Sequence, residues 1–141
     1  DLQHNPSDVP KLIKLLHKEN LDIVIGSRNF LKVYESRSLN FLRYYASILI
    51  KKLIIFFLGY KTNDPLSGFF CLKKKILYKK KLFGKGYKIL SDIIYSSENL
   101  NIKDLEIKFN HRGMGKSKMN IRILILILYF IFYIFVKRFK F

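Results

Sequence analysis

Val9, Leu12, Ile13 and Leu16 recur at i, i+3, i+4 and i+7, and the run Leu21-Asp22-Ile23-Val24-Ile25-Gly26 begins five residues after Leu16. The first pattern predicts an amphipathic helix, the second a buried strand. Further helical periodicity follows downstream. A buried strand between helices needs a sheet with helices packed on it, so the chain is α/β and not an all-α bundle. Ser7 is positioned to cap the first helix, with Asp8 in its first turn and Pro10 tolerated there. The helix should run to about Glu19 and stop at Asn20. Ser27 and Arg28 then fall at the strand's carboxyl end, where open α/β sheets place their ligand sites.

The second constraint is Asp64-Pro65-Leu66-Ser67-Gly68-Phe69-Phe70-Cys71-Leu72. Asn63, Asp64 and Pro65 have turn chemistry, since Asn and Asp bond their own backbone and Pro pre-sets φ. Ser67-Gly68 permits a tight backbone, and Phe69 to Leu72 reads as a short, fully buried strand. A polar bend feeding an apolar strand holds a carboxylate rigidly beside a core. The same pattern also suits an ordinary turn before a core strand.

The rest of the chain divides by pattern. Residues 29 to 37 read as a polar loop, and Ser38 to Leu58 as a long helix in which only Arg43, Lys51 and Lys52 are charged. Its apolar surface is too wide for a simple core helix. It suits either a helix packed against the sheet or one at a membrane interface with snorkelling lysines. Lys73-Lys74-Lys75 and Lys79-Lys80-Lys81 are basic runs that suit solvent or anionic lipid. Tyr87 to Leu100 predicts a helix with Ile89, Leu90, Ile93 and Ile94 inward, and Asp104 to Phe109 a strand. Gly84-Lys85-Gly86 is too short a signal for a nucleotide loop.

His111-Arg112-Gly113-Met114-Gly115-Lys116-Ser117-Lys118 reads as a basic loop. A Walker A motif would need glycine where Asn110 stands, so the Gly-Lys-Ser within it is not a P-loop. The stretch Ile121 to Val136 has one charge, Arg122. In a helix it would span about 24 Å against a hydrocarbon core of roughly 30 Å, enough to lie in an interface or cross a thin bilayer. Three basic residues flank it on each side (Lys116, Lys118, Arg122; Lys137, Arg138, Lys140), so charge asymmetry does not orient it.

Twenty-seven Lys and Arg against ten Asp and Glu give a formal charge of +17, which demands an anionic partner. Nucleic acid, anionic lipid and phosphorylated substrates all qualify, but half of the residues are hydrophobic, which is a lot for a nucleic-acid binder. The aromatics also cluster in apolar segments instead of interleaving with arginines as stacking platforms. No nucleic acid is therefore expected. Cys71, the single cysteine, reads as a small core hydrophobe, with neither a disulfide framework nor zinc-ligand spacing around it.

Asp64-Pro65-Leu66-Ser67-Gly68-Phe69-Phe70 resembles the Asp-Pro-x-Ser-Gly-Phe-Phe signature of dolichol-phosphate mannosyltransferases, of glycosyltransferase family 2. The resemblance extends in order along most of the chain. Asp1-Leu2-Gln3-His4-Asn5-Pro6 is similar to the end of the family's Asp-Ala-Asp-Leu-Gln-His-Pro-Pro motif, with Asn5 where proline is usual. Ile25-Gly26-Ser27-Arg28 resembles its Ile-Gly-Ser-Arg, and Arg43 with Ser47 its Arg-x-x-x-Ser. Gly86 to Leu90 resembles a further stretch, and Arg112-x-x-Gly-x-Ser-Lys118 its acceptor loop.

What the resemblance implies is the carboxyl-terminal part of a GT-A (Rossmann-like) domain over residues 1–118, then a membrane-spanning or interfacial helix with a basic tail over 119–141. It implies inverting transfer of mannose from GDP-mannose to dolichyl or polyprenyl phosphate. By the same resemblance Asp1 and Gln3 would ligate Mg²⁺ or Mn²⁺, a donor set that suits hard cations. Arg28, Arg43, Ser47, Arg112 and Lys118 would bind the substrate phosphates, and Asp64, Arg112 and Lys118 would serve the reaction itself. The protein would act on the lipid bilayer with its catalytic part facing the cytoplasm. The family's first strands, its base contacts and the first Asp of the metal motif precede the residue matching Asp1, so this stretch by itself is expected to be inactive. A related polyprenyl-phosphate transferase using another nucleotide sugar, and a non-catalytic basic membrane-anchored protein, remain the alternatives.

Overall fold

The computed structural model describes residues 4–29, 41–78, 89–108 and 121–139. Among these, helix α1 (Val9–Lys18) leads into β1 (Ile23–Arg28), followed by α2 (Phe41–Leu58), β2 (Phe70–Leu72), α3 (Ile89–Tyr95), β3 (Ile102–Ile107) and α4 (Ile121–Phe139). The chain is mixed α/β, as its periodicity requires.

The sheet has the order β2-β1-β3. β2 pairs with β1 antiparallel, Val24 opposite Cys71, and β3 pairs with β1 parallel, Ile25 opposite Asp104. The central strand alternates between two cores. Val24 meets Leu12 and Leu16 of α1 together with Ile107. Ile23 and Ile25 meet Leu90, Ile93 and Ile94 of α3, with Ile76 beside them. Burying each of these β1 side chains contributes about 2 kcal/mol, which is why this strand organises the domain. A third cluster joins α2 to α4 through Ile50, Ile54, Ile127, Phe130, Ile131 and Ile134. Tyr95 packs against both this cluster and the α3 layer, linking the helix pair to the sheet.

Several local expectations are corrected. Asn5, not Ser7, caps the amino terminus: its side chain accepts the Ser7 N–H, and a 3-10 turn over Pro6–Asp8 precedes α1. Val9 and Ile13 are exposed, because only the Leu12–Leu16 edge of α1 reaches the sheet. Asn20 does end the helix, in the left-handed region at φ 50°, a conformation asparagine tolerates. β2 is half-buried, not fully buried, since among the described residues it forms an edge of the sheet. β3 begins at Ile102, two residues before the expected Asp104.

α3 ends at Tyr95 instead of Leu100. Lys61 supplies the reason, its ammonium donating to the carbonyls of Ile94 (2.7 Å) and Ser97 (2.9 Å) and capping the helix from a distant segment. The long helix over Ser38–Leu58 is present from Phe41 among the described residues. It packs against α4, the tail helix, through its Ile50–Ile54 side. Among the described residues no helix is long and apolar enough to cross a membrane, so the membrane-spanning reading of the tail is not confirmed.

Candidate active site

β1 ends in Ser27 and Arg28 at the carboxyl edge of the sheet, and the turn that follows α2 passes directly beside it. The turn carries Thr62, Asn63 and Asp64, and its conformation follows from its residue types. Gly59 leaves α2 at φ 85°, a value that suits glycine. The Asp64 N–H donates to the Thr62 hydroxyl oxygen at 3.2 Å, and the Ser67 N–H closes a turn on the Asp64 carbonyl at 3.0 Å.

Asp64 is 1% exposed, and among the described residues a single partner meets both of its oxygens. Arg28 Nε donates to Oδ2 at 2.6 Å and Nη2 to Oδ1 at 2.8 Å, while the Arg28 backbone N–H reaches Oδ2 at 3.3 Å. This is a bidentate, nearly buried ion pair, the geometry in which guanidinium and carboxylate match best. Desolvation is offset only while both partners remain in place.

Three further struts hold the turn. The Thr62 hydroxyl donates to Asp104 Oδ1 (2.5 Å) and the Asn63 N–H to Asp104 Oδ2 (2.7 Å), fastening the turn to β3. The Ser67 hydroxyl donates to the Gly26 carbonyl at 2.8 Å, and the Gly26 N–H to the Phe69 carbonyl at 2.8 Å, fastening it to β1. The buried Ser91 hydroxyl donates to the Pro65 carbonyl, fastening it to α3. Gly26 has a steric reason to be glycine: a Cβ there would stand 2.5 Å from the Phe69 ring.

His4 lies against the segment that follows the turn. Its ring stacks on Phe69 with centroids 4.8 Å apart and planes 6° from parallel. Burial, with the nearby positive charge of Arg28, pushes its pKa below the ordinary histidine value; Asp64 and Asp8 partly oppose this.

Of the residues singled out in the sequence, the structure joins Arg28 to Asp64. Ser47 is buried on α2, and Arg43 lies in the same helix with its side chain outside the described residues. Asp1, Gln3, Arg112 and Lys118 lie outside the described residues altogether. Among the described residues no group of three or more His, Cys, Asp or Glu could hold a metal ion. Asp64 does not fit that task, as Arg28 engages both its oxygens.

Thr62, Asp104, Ser91 and His4 were not legible as site residues. The only sequence signal was local, in the Thr-Asn-Asp order that favours side-chain-to-backbone turns.

No family model matches the chain. Over 118 residues, 82% of its length, it is 32% identical to a dolichol-phosphate mannosyltransferase of Pyrococcus furiosus, and the match covers 33% of that protein. Over 91 residues, 63% of its length, it is 34% identical to an uncharacterised protein of Methanocaldococcus jannaschii, covering 38% of it. The matched stretch thus spans about a third of the length of the first relative and under two fifths of the second.

Proposed function

This chain is a relative of the dolichol-phosphate mannosyltransferases, and on that premise we propose that it serves inverting transfer of mannose from GDP-mannose to dolichyl or polyprenyl phosphate. The observation that carries the reading is the identity to the Pyrococcus furiosus protein, which runs through 82% of this chain. The ion pair at the carboxyl edge of the sheet supports it, since it holds an arginine rigidly where α/β sheets bind ligands.

In this reading an acceptor phosphate oxygen attacks the anomeric carbon of mannose while the bond to the GDP oxygen breaks and its electron pair leaves with GDP. A phosphate monoester has a second pKa near 6. The nucleophile is therefore already ionised and no strong general base is needed. The chain's work is positioning and charge neutralisation. Arg28, Arg43 and Ser47 meet the acceptor phosphate, and Arg112 and Lys118 steady the phosphates as charge moves. Mg²⁺ or Mn²⁺, held by Asp1 and Gln3, would neutralise charge on the donor diphosphate.

A lipid bilayer as the site of action is supported by the outward faces of α2 and α4. Leu49, Phe56, Ile125, Leu128, Tyr129 and Phe132 are all exposed there. Large apolar side chains exposed in this number on one helix pair suit contact with a bilayer. The charge of +17 suits anionic headgroups, with the catalytic part on the cytoplasmic side.

The test is to incubate the complete gene product, in detergent with Mn²⁺, with radiolabelled GDP-mannose and polyprenyl phosphate. Label is expected in the lipid fraction and lost in Arg112→Ala. Transfer from UDP-glucose instead would overturn the donor and keep the acceptor. No lipid label from any nucleotide sugar would favour a non-catalytic, membrane-anchored protein.

A further inference from the structure

The hydrogen bonds behind the Arg28–Asp64 pair have a direction. Thr62 is 1% exposed, and its hydroxyl stands between Asp104 Oδ1 (2.5 Å) and the Asp64 N–H (3.2 Å). A hydroxyl has one proton to give, and a carboxylate only accepts. The proton therefore goes to Asp104, which turns the oxygen's lone pairs toward the Asp64 N–H. Asp104 also takes the Asn63 N–H on its second oxygen at 2.7 Å, so it holds two consecutive residues of the turn. Its own place is set by the sheet, beside Ile25 in the parallel β1–β3 register. β1 carries Arg28 as well, so both ends of the chain Asp104–Thr62–Asp64–Arg28 are anchored on one rigid pair of strands.

We propose that Asp104 and Thr62 are positioning residues, which fix the Asp64 carboxylate and through it the plane in which Arg28 meets the phosphate of a lipid acceptor. The inference rests on the phosphate-binding reading of Arg28. Guanidinium recognition of phosphate depends on the orientation of its planar fork. A tilt of the Asp64 carboxylate would carry Arg28 with it, leaving its charge in place and misaligning its donors.

Two readouts on the complete protein separate the relay from the reaction. The first is hydrogen exchange of the Arg28 Nε–H, followed by nitrogen-resolved NMR. The second is steady-state transfer with KM measured separately for donor and acceptor. Thr62→Val, which keeps the shape and removes the hydroxyl, is expected to speed Nε–H exchange and to raise the acceptor KM, each by about tenfold, the scale of one charge-assisted hydrogen bond. The donor KM should stay unchanged, and Thr62→Ser should restore both values.

Unaltered Nε–H exchange in a folded Thr62→Val protein would overturn the relay whatever the activity. Faster exchange with donor and acceptor KM rising together would overturn the acceptor role. If the wild type transfers no sugar to polyprenyl phosphate, the functional reading fails, and the exchange data still decide the relay. Should Thr62→Val not fold, Asp104→Asn, which retains one acceptor oxygen, supports the same comparison.

Discussion

Arg28 and Asp64, 36 positions apart in the chain, meet through two parallel hydrogen bonds of 2.6 and 2.8 Å. The arginine closes the central strand of the sheet, and the aspartate sits in the turn after α2. This pair joins the part of the chain that forms the core to the part that carries the turn.

Removing one partner should cost far more than the pair itself contributes. Asp64→Ala leaves a guanidinium whose side chain is 15% exposed without its counter-charge. The expected loss is about 3 kcal/mol, read as a lower urea midpoint. The double variant Asp64→Ala with Arg28→Met should recover a substantial part of it. A double-variant loss equal to the sum of the Asp64→Ala and Arg28→Met losses would mean that the pair is not energetically coupled.

Gly26→Ala tests the close approach of β1 and the Phe69 segment. The new methyl would stand 2.5 Å from the Phe69 ring and 3.0 Å from Ile107 Cδ1. The Phe69 ring is stacked on His4 and its carbonyl oxygen also stands 3.1 Å from the new methyl. A destabilisation of about 1–3 kcal/mol is expected, measured as a fall in Tm. Gly68→Ala is the control, because nothing lies within 4 Å of its would-be Cβ.

Tyr95 predicts an alkaline limit to stability. Burial pushes its phenol up to about 12, from an ordinary value near 10. The unfolded chain therefore loses this proton first. Stability from this group is intact below pH 10 and falls as pH rises from about 10 to about 12. Tyr95→Phe should flatten that part of the urea-midpoint profile relative to wild type. It also removes the hydrogen bond to the Gly59 carbonyl at 2.7 Å, so it should lower stability by about 1 kcal/mol at neutral pH.

The outward faces of α2 and α4 predict vesicle binding. Phe56 is 81% exposed and Phe132 64% exposed, so Phe56→Glu and Phe132→Glu should change folding stability by less than about 0.5 kcal/mol. Both should weaken flotation with anionic vesicles severalfold, by losing apolar insertion and adding repulsion. Unchanged flotation in both variants would place the bilayer contact elsewhere.

Local pattern was enough for the fold class, because a helical stripe and an apolar strand announce themselves within a few residues. Leu12 and Leu16 are buried as the spacing requires, Asn20 stops α1, and Ile23 to Ile25 form the core of the sheet. The ends of elements were less legible. The stop of α3 at Tyr95 is set by Lys61, and the half-exposure of β2 by its edge position, neither of which is encoded nearby.

The sequence by itself determined which residues carry charge or turn chemistry at the site, including Arg28 and Asp64. Only the tertiary structure decided that these two bind each other, and that Thr62 and Asp104 stand behind them. The physical reason is distance along the chain. A helix face is read over four residues, whereas these contacts span 36 and 42 positions and exist only once β1 and β3 have paired and the turn has docked on them.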